Sequence, residues 1–157
     1  MQRLRLEINY TEYASKRELP ASDLALLDKA EEMTRSSYAP YSNFHVGAAI
    51  RMASGEVYGG ANQENAAFPS GLCAERTALY YASAQHPEGA VEAIAIAAEH
   101  KGSFTKDIVT PCGACRQALA QYEVKSSRPI RVILGGTDRI VVFDSVADLL
   151  PFVFDSI

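Results

Sequence analysis

The chain has 157 residues, 48% of them hydrophobic and 22% charged, which is the length of one domain and argues against wholesale disorder. A formal charge of −4 offers no basic stripe to a nucleic acid, and no run of about 18 apolar residues exists to span a membrane. The N-terminal stretch from Met1 to Glu7 interrupts its apolar residues with charge, unlike a signal peptide, so the expected address is cytoplasmic.

Residues 4–10 set Leu4, Leu6, Ile8 and Tyr10 alternately with polar neighbours, the period of a half-buried strand. A polar stretch follows to Pro20. Leu24, Leu27, Ala30 and Met33 fall at helical spacing and predict a helix over 22–36, with Ser22 as its N-cap and Pro40 beyond its end. Residues 44–52 predict a strand with Phe44, Val46, Ala48 and Ile50 on one face; Ser54 and Gly55 turn the chain, and 56–61 return as a second strand. A loop leads to a helix over 72–85. Next come a strand over 91–97, apolar enough for the centre of a sheet, a helix over 112–123, a solvated loop over 124–127 and a strand over 130–134. Residues 135–138 are too few for the crossover that parallel neighbours require, so 130–134 and 139–143 should form an antiparallel hairpin. Asp144 is the expected cap of a short helix over 145–150. Strands interleaved with helices imply an α/β fold: a three-layer α/β/α sandwich on a mixed sheet of about five strands. The whole chain, 1–157, reads as one domain with a strand-like extension at 1–20.

All three cysteines lie in two short segments, and an odd number argues for metal binding or catalysis over a disulfide framework. Cys112 and Cys115 stand three apart at a helix start, with both sulfurs on one face. Cys73 stands at the start of another helix. The dipole and free N–H groups of a helix N-terminus favour thiolate, and zinc suits three such soft ligands. Three protein ligands leave a fourth position to water, which the ion acidifies toward neutral pH. Three thiolates over-neutralise the ion, so a nearby cation should compensate; Arg76 is the main candidate and Arg116 a second one. Glu75, two residues beyond a ligand, is placed to carry protons, because a carboxylate in a dry pocket has a raised pKa. A non-ligand glutamate with a downstream Pro-Cys-x-x-Cys is the general pattern of the zinc nucleobase deaminases. A redox Cys-x-x-Cys would leave Cys73 and Glu75 unexplained. A closed structural zinc would need His45, His86 or His100, none at ligand-like spacing.

The chain resembles the small homotetrameric cytidine deaminases from about Ala30 to Phe154. The resemblance rests on residues 38–49 (YAPYSNFHVGAA), 60–66 (GANQENA), 71–78 (GLCAERTA), 93–97 (AIAIA) and 110–117 (TPCGACRQ). It implies zinc on Cys73, Cys112 and Cys115, one ion per subunit, with Glu75 as proton shuttle. The implied reaction is hydrolysis of the 4-amino group of cytidine and 2′-deoxycytidine by attack of water-derived hydroxide at C4. Ala74 would offer its N–H to the base carbonyl, Phe44 would pack on the pyrimidine, and Asn62 and Glu64 would bind the sugar 3′-hydroxyl. Phe68 and Phe154 would enter a neighbouring subunit's pocket. The family often has tyrosine where this chain has Phe68, and a phenylalanine has no hydroxyl for the sugar's 5′ side. The partners implied are a pyrimidine nucleoside and three further copies of the chain, with no nucleic acid and no membrane. Two other readings stand beside this one: a deaminase for a modified cytosine nucleoside of the blasticidin S type, and a zinc-stabilised binding protein without catalysis.

Overall fold

A computed structural model describes residues 1–155. Its strands are β1 (Thr11–Tyr13), β2 (Phe44–Met52), β3 (Val57–Ala61), β4 (Val91–His100), β5 (Ser103–Phe104), β6 (Arg131–Gly135) and β7 (Ile140–Phe143). Its helices are α1 (Ala21–Met33), α2 (Ala74–Gln85) and α3 (Gly113–Ser126). The sheet runs β1-β7-β6-β4-β2-β3, with β5 folded back on the end of β4. Only β4 and β6 pair in parallel; β6 and β7 form the antiparallel hairpin expected from their short connection, with Gly135 opposite Ile140.

Helix α1 covers one face of the sheet, burying Leu26, Leu27 and Ala30 against Ala49, Ala93, Ala95 and Ile133. Helices α2 and α3 cover the other face, where Ala78, Leu79 and Leu119 meet Ala48, Ile50, Ile94, Ile96 and Leu134. This is the three-layer sandwich. The alternation along β2 and β4 produces it, since successive side chains of a strand point to opposite faces.

Two glycines set how closely helices approach the sheet. A Cβ on Gly47 would stand 2.0 Å from the Ala30 carbonyl oxygen, so β2 meets the backbone of α1 directly. A Cβ on Gly60 would stand 2.4 Å from the Ala78 amide nitrogen and 2.9 Å from the Ala74 oxygen. That contact fixes the first turns of α2 against β3.

The structure corrects several local expectations. The sheet has seven strands, because β1 and β5 add to the five expected. Residues 4–10 form no strand, and their apolar side chains are exposed; pairing begins at Thr11, opposite Val142. Ser22 is not the cap of α1, which begins one residue earlier after Pro20, and its last turn tightens to a 3₁₀ turn over Thr34–Ser36. Residues 124–126 belong to α3, which ends at Ser127 in the left-handed conformation with φ 50°. The helix expected over 145–150 is a single 3₁₀ turn, Val146–Asp148, capped by Ser145. Asp144 instead pairs with Arg131.

Candidate active site

The site forms where the N-termini of α2 and α3 converge. Cys73 is the residue before α2, and Cys112 the residue before α3. No side chain caps either helix, so the first-turn N–H groups remain for negatively charged partners. Cys115 lies one turn into α3 and is fully buried. The sulfur of Cys112 is 3.9 Å from that of Cys73 and 3.5 Å from that of Cys115, and all three lie within 4.8 Å of one another. A tetrahedral zinc with bonds of about 2.3 Å sets its sulfurs roughly 3.8 Å apart. The donor set therefore fits zinc in both chemistry and spacing. The three histidines are not among the clustered ligand atoms, so the set has three protein donors.

Electrostatics sharpen this picture. The Cys73 thiol is pulled down to about 5 by the hydrogen bond from Cys115 and, after it, by Arg76. The Cys115 thiol is pushed up by the same hydrogen bond and by burial. Arg76 donates from Nη2 to the Cys73 sulfur at 3.5 Å, which raises its own pKa and makes it the cation beside the thiolates. Arg116 does not share that place. Its Nε donates to the Pro111 oxygen and its Nη1 to the Leu149 oxygen, both at 2.9 Å. It ties the loop before α3 to the C-terminal segment; the guanidinium is committed to carbonyls and makes no hydrogen bond to sulfur.

Glu75 follows Cys73 by two residues, on the first turn of α2, and is 5% exposed. Burial lifts its pKa above the ordinary glutamate value, and the Cys73 charge pushes the same way. A buried carboxylate of raised basicity beside a metal-binding cluster is suited to take and return a proton. Ala74, between Cys73 and Glu75, is fully buried.

The wall beside the sulfurs is built by two loops. Tyr38 bridges to Gln63, and Gln63 to Leu72, so residues 62–72 close into a lobe against the segment after α1. Glu64 accepts from the amides of Tyr41 (2.8 Å) and Ser42 (3.3 Å) through one oxygen, Oε2. Asn62 accepts from Ser37 Oγ (2.5 Å) and the Val46 amide (2.8 Å), while its Nδ2 donates to the Phe44 oxygen (2.9 Å). A cavity of about 370 Å³ opens here, lined by Asn62, Glu64, Phe68, Cys73 and Arg76 of the expected residues. Phe44, Ala74 and Glu75 do not line it: Phe44 is half-buried at the start of β2, its ring 5.9 Å from that of His100. Phe68 is 77% exposed, with its ring edge-on to Tyr41 at 6.1 Å. Phe154 is 68% exposed and is not brought to this cavity, although Gln117 on α3 holds its backbone by two hydrogen bonds.

Sequence reasoning missed Ser37 and Tyr41. Both sit in or beside the 38–49 stretch, whose density of Tyr, Pro, Ser and Asn was a signal of a built loop, but only the structure shows which atoms face Asn62 and Glu64.

Fold and site together define an α/β/α sandwich that carries a three-cysteine cluster able to hold a metal beside a buried carboxylate. The sequence model of the cytidine and deoxycytidylate deaminase zinc-binding region matches residues 20–128. A cytidine deaminase of Halalkalibacterium halodurans is 40% identical over 82% of this chain and 91% of its own length. One of Sporosarcina psychrophila is 36% identical over 82% and 88%. The crystal structure of cytidine deaminase from Burkholderia pseudomallei superposes with a TM-score of 0.69 at 40% identity, covering 83% of this chain and 97% of that one. That from Mycobacterium tuberculosis superposes with a TM-score of 0.65 at 29% identity, covering 84% and 96%. The chain belongs to the cytidine and deoxycytidylate deaminase family, and zinc is its metal.

Proposed function

We propose that the chain hydrolyses cytidine and 2′-deoxycytidine to uridine and 2′-deoxyuridine, releasing ammonia, as an enzyme of pyrimidine salvage. The observation that carries this reading is the buried Glu75 carboxylate beside three sulfurs spaced for one zinc. The family's named activity in relatives at 40% identity supports it. Cys73, Cys112 and Cys115 would hold the zinc, which would supply an acidified water beside Glu75.

The remaining steps belong to the chain's own residues. Glu75 takes the proton of the attacking water as the C–O bond forms at C4 and places it on N3. It then takes the second proton from the C4 hydroxyl and delivers it to the departing amine as the C4–N bond breaks and the C4 carbonyl forms. Arg76 offsets the excess charge of the thiolates. The Ala74 amide, at the free N-terminus of α2, donates to the base carbonyl. Phe44 packs on the pyrimidine ring. Glu64 keeps Oε1 for the sugar 3′-hydroxyl, since the loop amides use Oε2. Asn62 keeps the second hydrogen of Nδ2, since its oxygen already takes two donors. A carboxylate at that position repels phosphate, which favours a nucleoside over a nucleotide.

The reading includes a single domain, a homotetramer and a cytoplasmic address. Exposed Phe68 and Phe154 support pockets completed by neighbouring copies, and three cysteines without a disulfide support a reducing compartment. Among the described residues no helix is long and apolar enough to cross a membrane.

The test is the absorbance change of cytidine with the holoenzyme, with and without a zinc chelator. Chelation abolishes turnover and added zinc restores it. Glu75→Gln keeps one zinc per chain and the thermal midpoint while losing about 10²–10⁴-fold in kcat. Full activity in that variant would remove Glu75 from the mechanism.

A further inference from the structure

The first ten residues stand apart from the rest of the molecule. Leu4, Leu6, Ile8 and Tyr10 are 79%, 57%, 48% and 58% exposed, and they alternate with polar residues in a segment that is neither helix nor strand. The antiparallel register of β1 on β7 shows why. Thr11 lies opposite Val142, and Tyr10 comes next, its ring 5.7 Å from that of Phe143. Beyond Phe143 the chain leaves the sheet for the 3₁₀ turn capped by Ser145, so residues 4–9 have no strand left to pair with. Among the described residues, no backbone hydrogen bond involves residues 4–9.

A segment with alternating apolar side chains and unpaired backbone is a template for another chain. We infer that residues 4–10 form an arm that packs on a second copy of this chain, burying Leu4, Leu6 and Ile8 between subunits. Three observations select that partner. The arm is continuous with β1, an edge strand of the sheet, so it leaves the molecule along the sheet edge with its direction fixed. Arg3 and Arg5 against Glu7 leave residues 1–10 with a side-chain charge of +1, whereas the whole chain carries −4, so the body of another copy is of opposite charge. The chain also exposes Tyr80, Tyr81 and Val124 on α2 and α3, apolar surface that a second copy presents to the arm. The arm lies outside residues 20–128, the region matched to the family.

The inference rests on the self-association proposed above, not on the deaminase chemistry. The test places the photoreactive residue p-benzoylphenylalanine at position 8 in the zinc-loaded full chain and mixes it with an isotope-heavy copy before illumination. The expected product is a covalent pair of one light and one heavy chain, with the cross-link mapped to a peptide of the heavy copy. Adducts within one chain only, adducts to a different protein only when the illumination is done in cells, or no adduct would overturn the arm. The native mass before illumination separates the two proposals: an assembly without an inter-chain adduct overturns the arm alone, and a monomer overturns both. In the double variant Leu6→Asp and Ile8→Asp, both outside the folded core, the assembly should dissociate at least about tenfold more readily, since two apolar contacts become charged. An unchanged dissociation constant would also count against the arm.

Discussion

Asn62 carries two duties through one amide. Its oxygen receives Ser37 Oγ and the Val46 amide, and its nitrogen reaches the Phe44 carbonyl, so it pins the end of the 38–43 loop to the start of β2. Replacing it leaves part-buried donors and an acceptor without partners. Asn62→Ala should therefore lower stability by about 1–3 kcal/mol as well as weaken nucleoside binding. Urea unfolding checks the first effect and KM for cytidine the second; a variant with normal stability would mean that water replaces the lost bonds. Arg116 makes the complementary point. Its position directly after a ligand suggested a role toward sulfur, yet side-chain direction sends it to the carbonyls of Pro111 and Leu149. Sequence adjacency does not decide which atoms meet when a residue's rotamer faces away from the site.

At the scale of elements, the strands were read well where the alternation or the apolar run is clear and a partner exists on both sides. β2 falls on the expected 44–52, and β4 contains all of 91–97. The same alternation misled at 4–10, because periodicity reports what a strand would bury and not whether a neighbouring strand is present. The C-terminus of α3 was placed too early, since Lys125 and Ser126 are polar but belong to an exposed final turn. The approach of α2 to β3 depends on Gly60, and a methyl group there meets backbone atoms that have nowhere to yield. Gly60→Ala should cost about 1–3 kcal/mol. It should also shift the first turn of α2, so activity and zinc content should fall further than in a surface variant of equal stability. Chemical denaturation together with zinc analysis measures both; retained zinc and kcat at lowered stability would show that β3 moved instead.

At the scale of the whole molecule, Asp23 joins three elements. It is 2% exposed on α1 and receives Arg131 Nε of β6 at 2.8 Å and Arg51 Nη2 of β2 at 3.5 Å. Arg51 in turn donates to Glu92 on β4 at 3.0 Å. Removing the carboxylate leaves two partly buried guanidiniums, Arg51 with Glu92 and Arg131 with Asp144 as their remaining carboxylate partners. Asp23→Ala should destabilise the fold by about 1–3 kcal/mol, because both arginines lose a buried hydrogen-bonding partner but keep another carboxylate. The thermal midpoint should fall while the zinc stoichiometry of the folded fraction stays at one. A change within error of zero would show that solvent reaches both arginines. No local pattern announced this network, since Asp23 and Arg131 are 108 positions apart in the chain.

The sequence by itself singled out the three cysteines that the fold clusters, the glutamate it buries beside them, the sandwich and the terminal hairpin. Each of these follows from residue type at short spacing or from a connection too short for any other course. Only the tertiary structure decided that Arg76 and not Arg116 reaches sulfur, that Asn62 is partly spent on the fold, and that residues 4–9 pair with no strand among the described residues. Those outcomes depend on where distant segments meet in space, and a hydrogen bond or a vacant sheet edge has no signature in the spacing of the residues that make it.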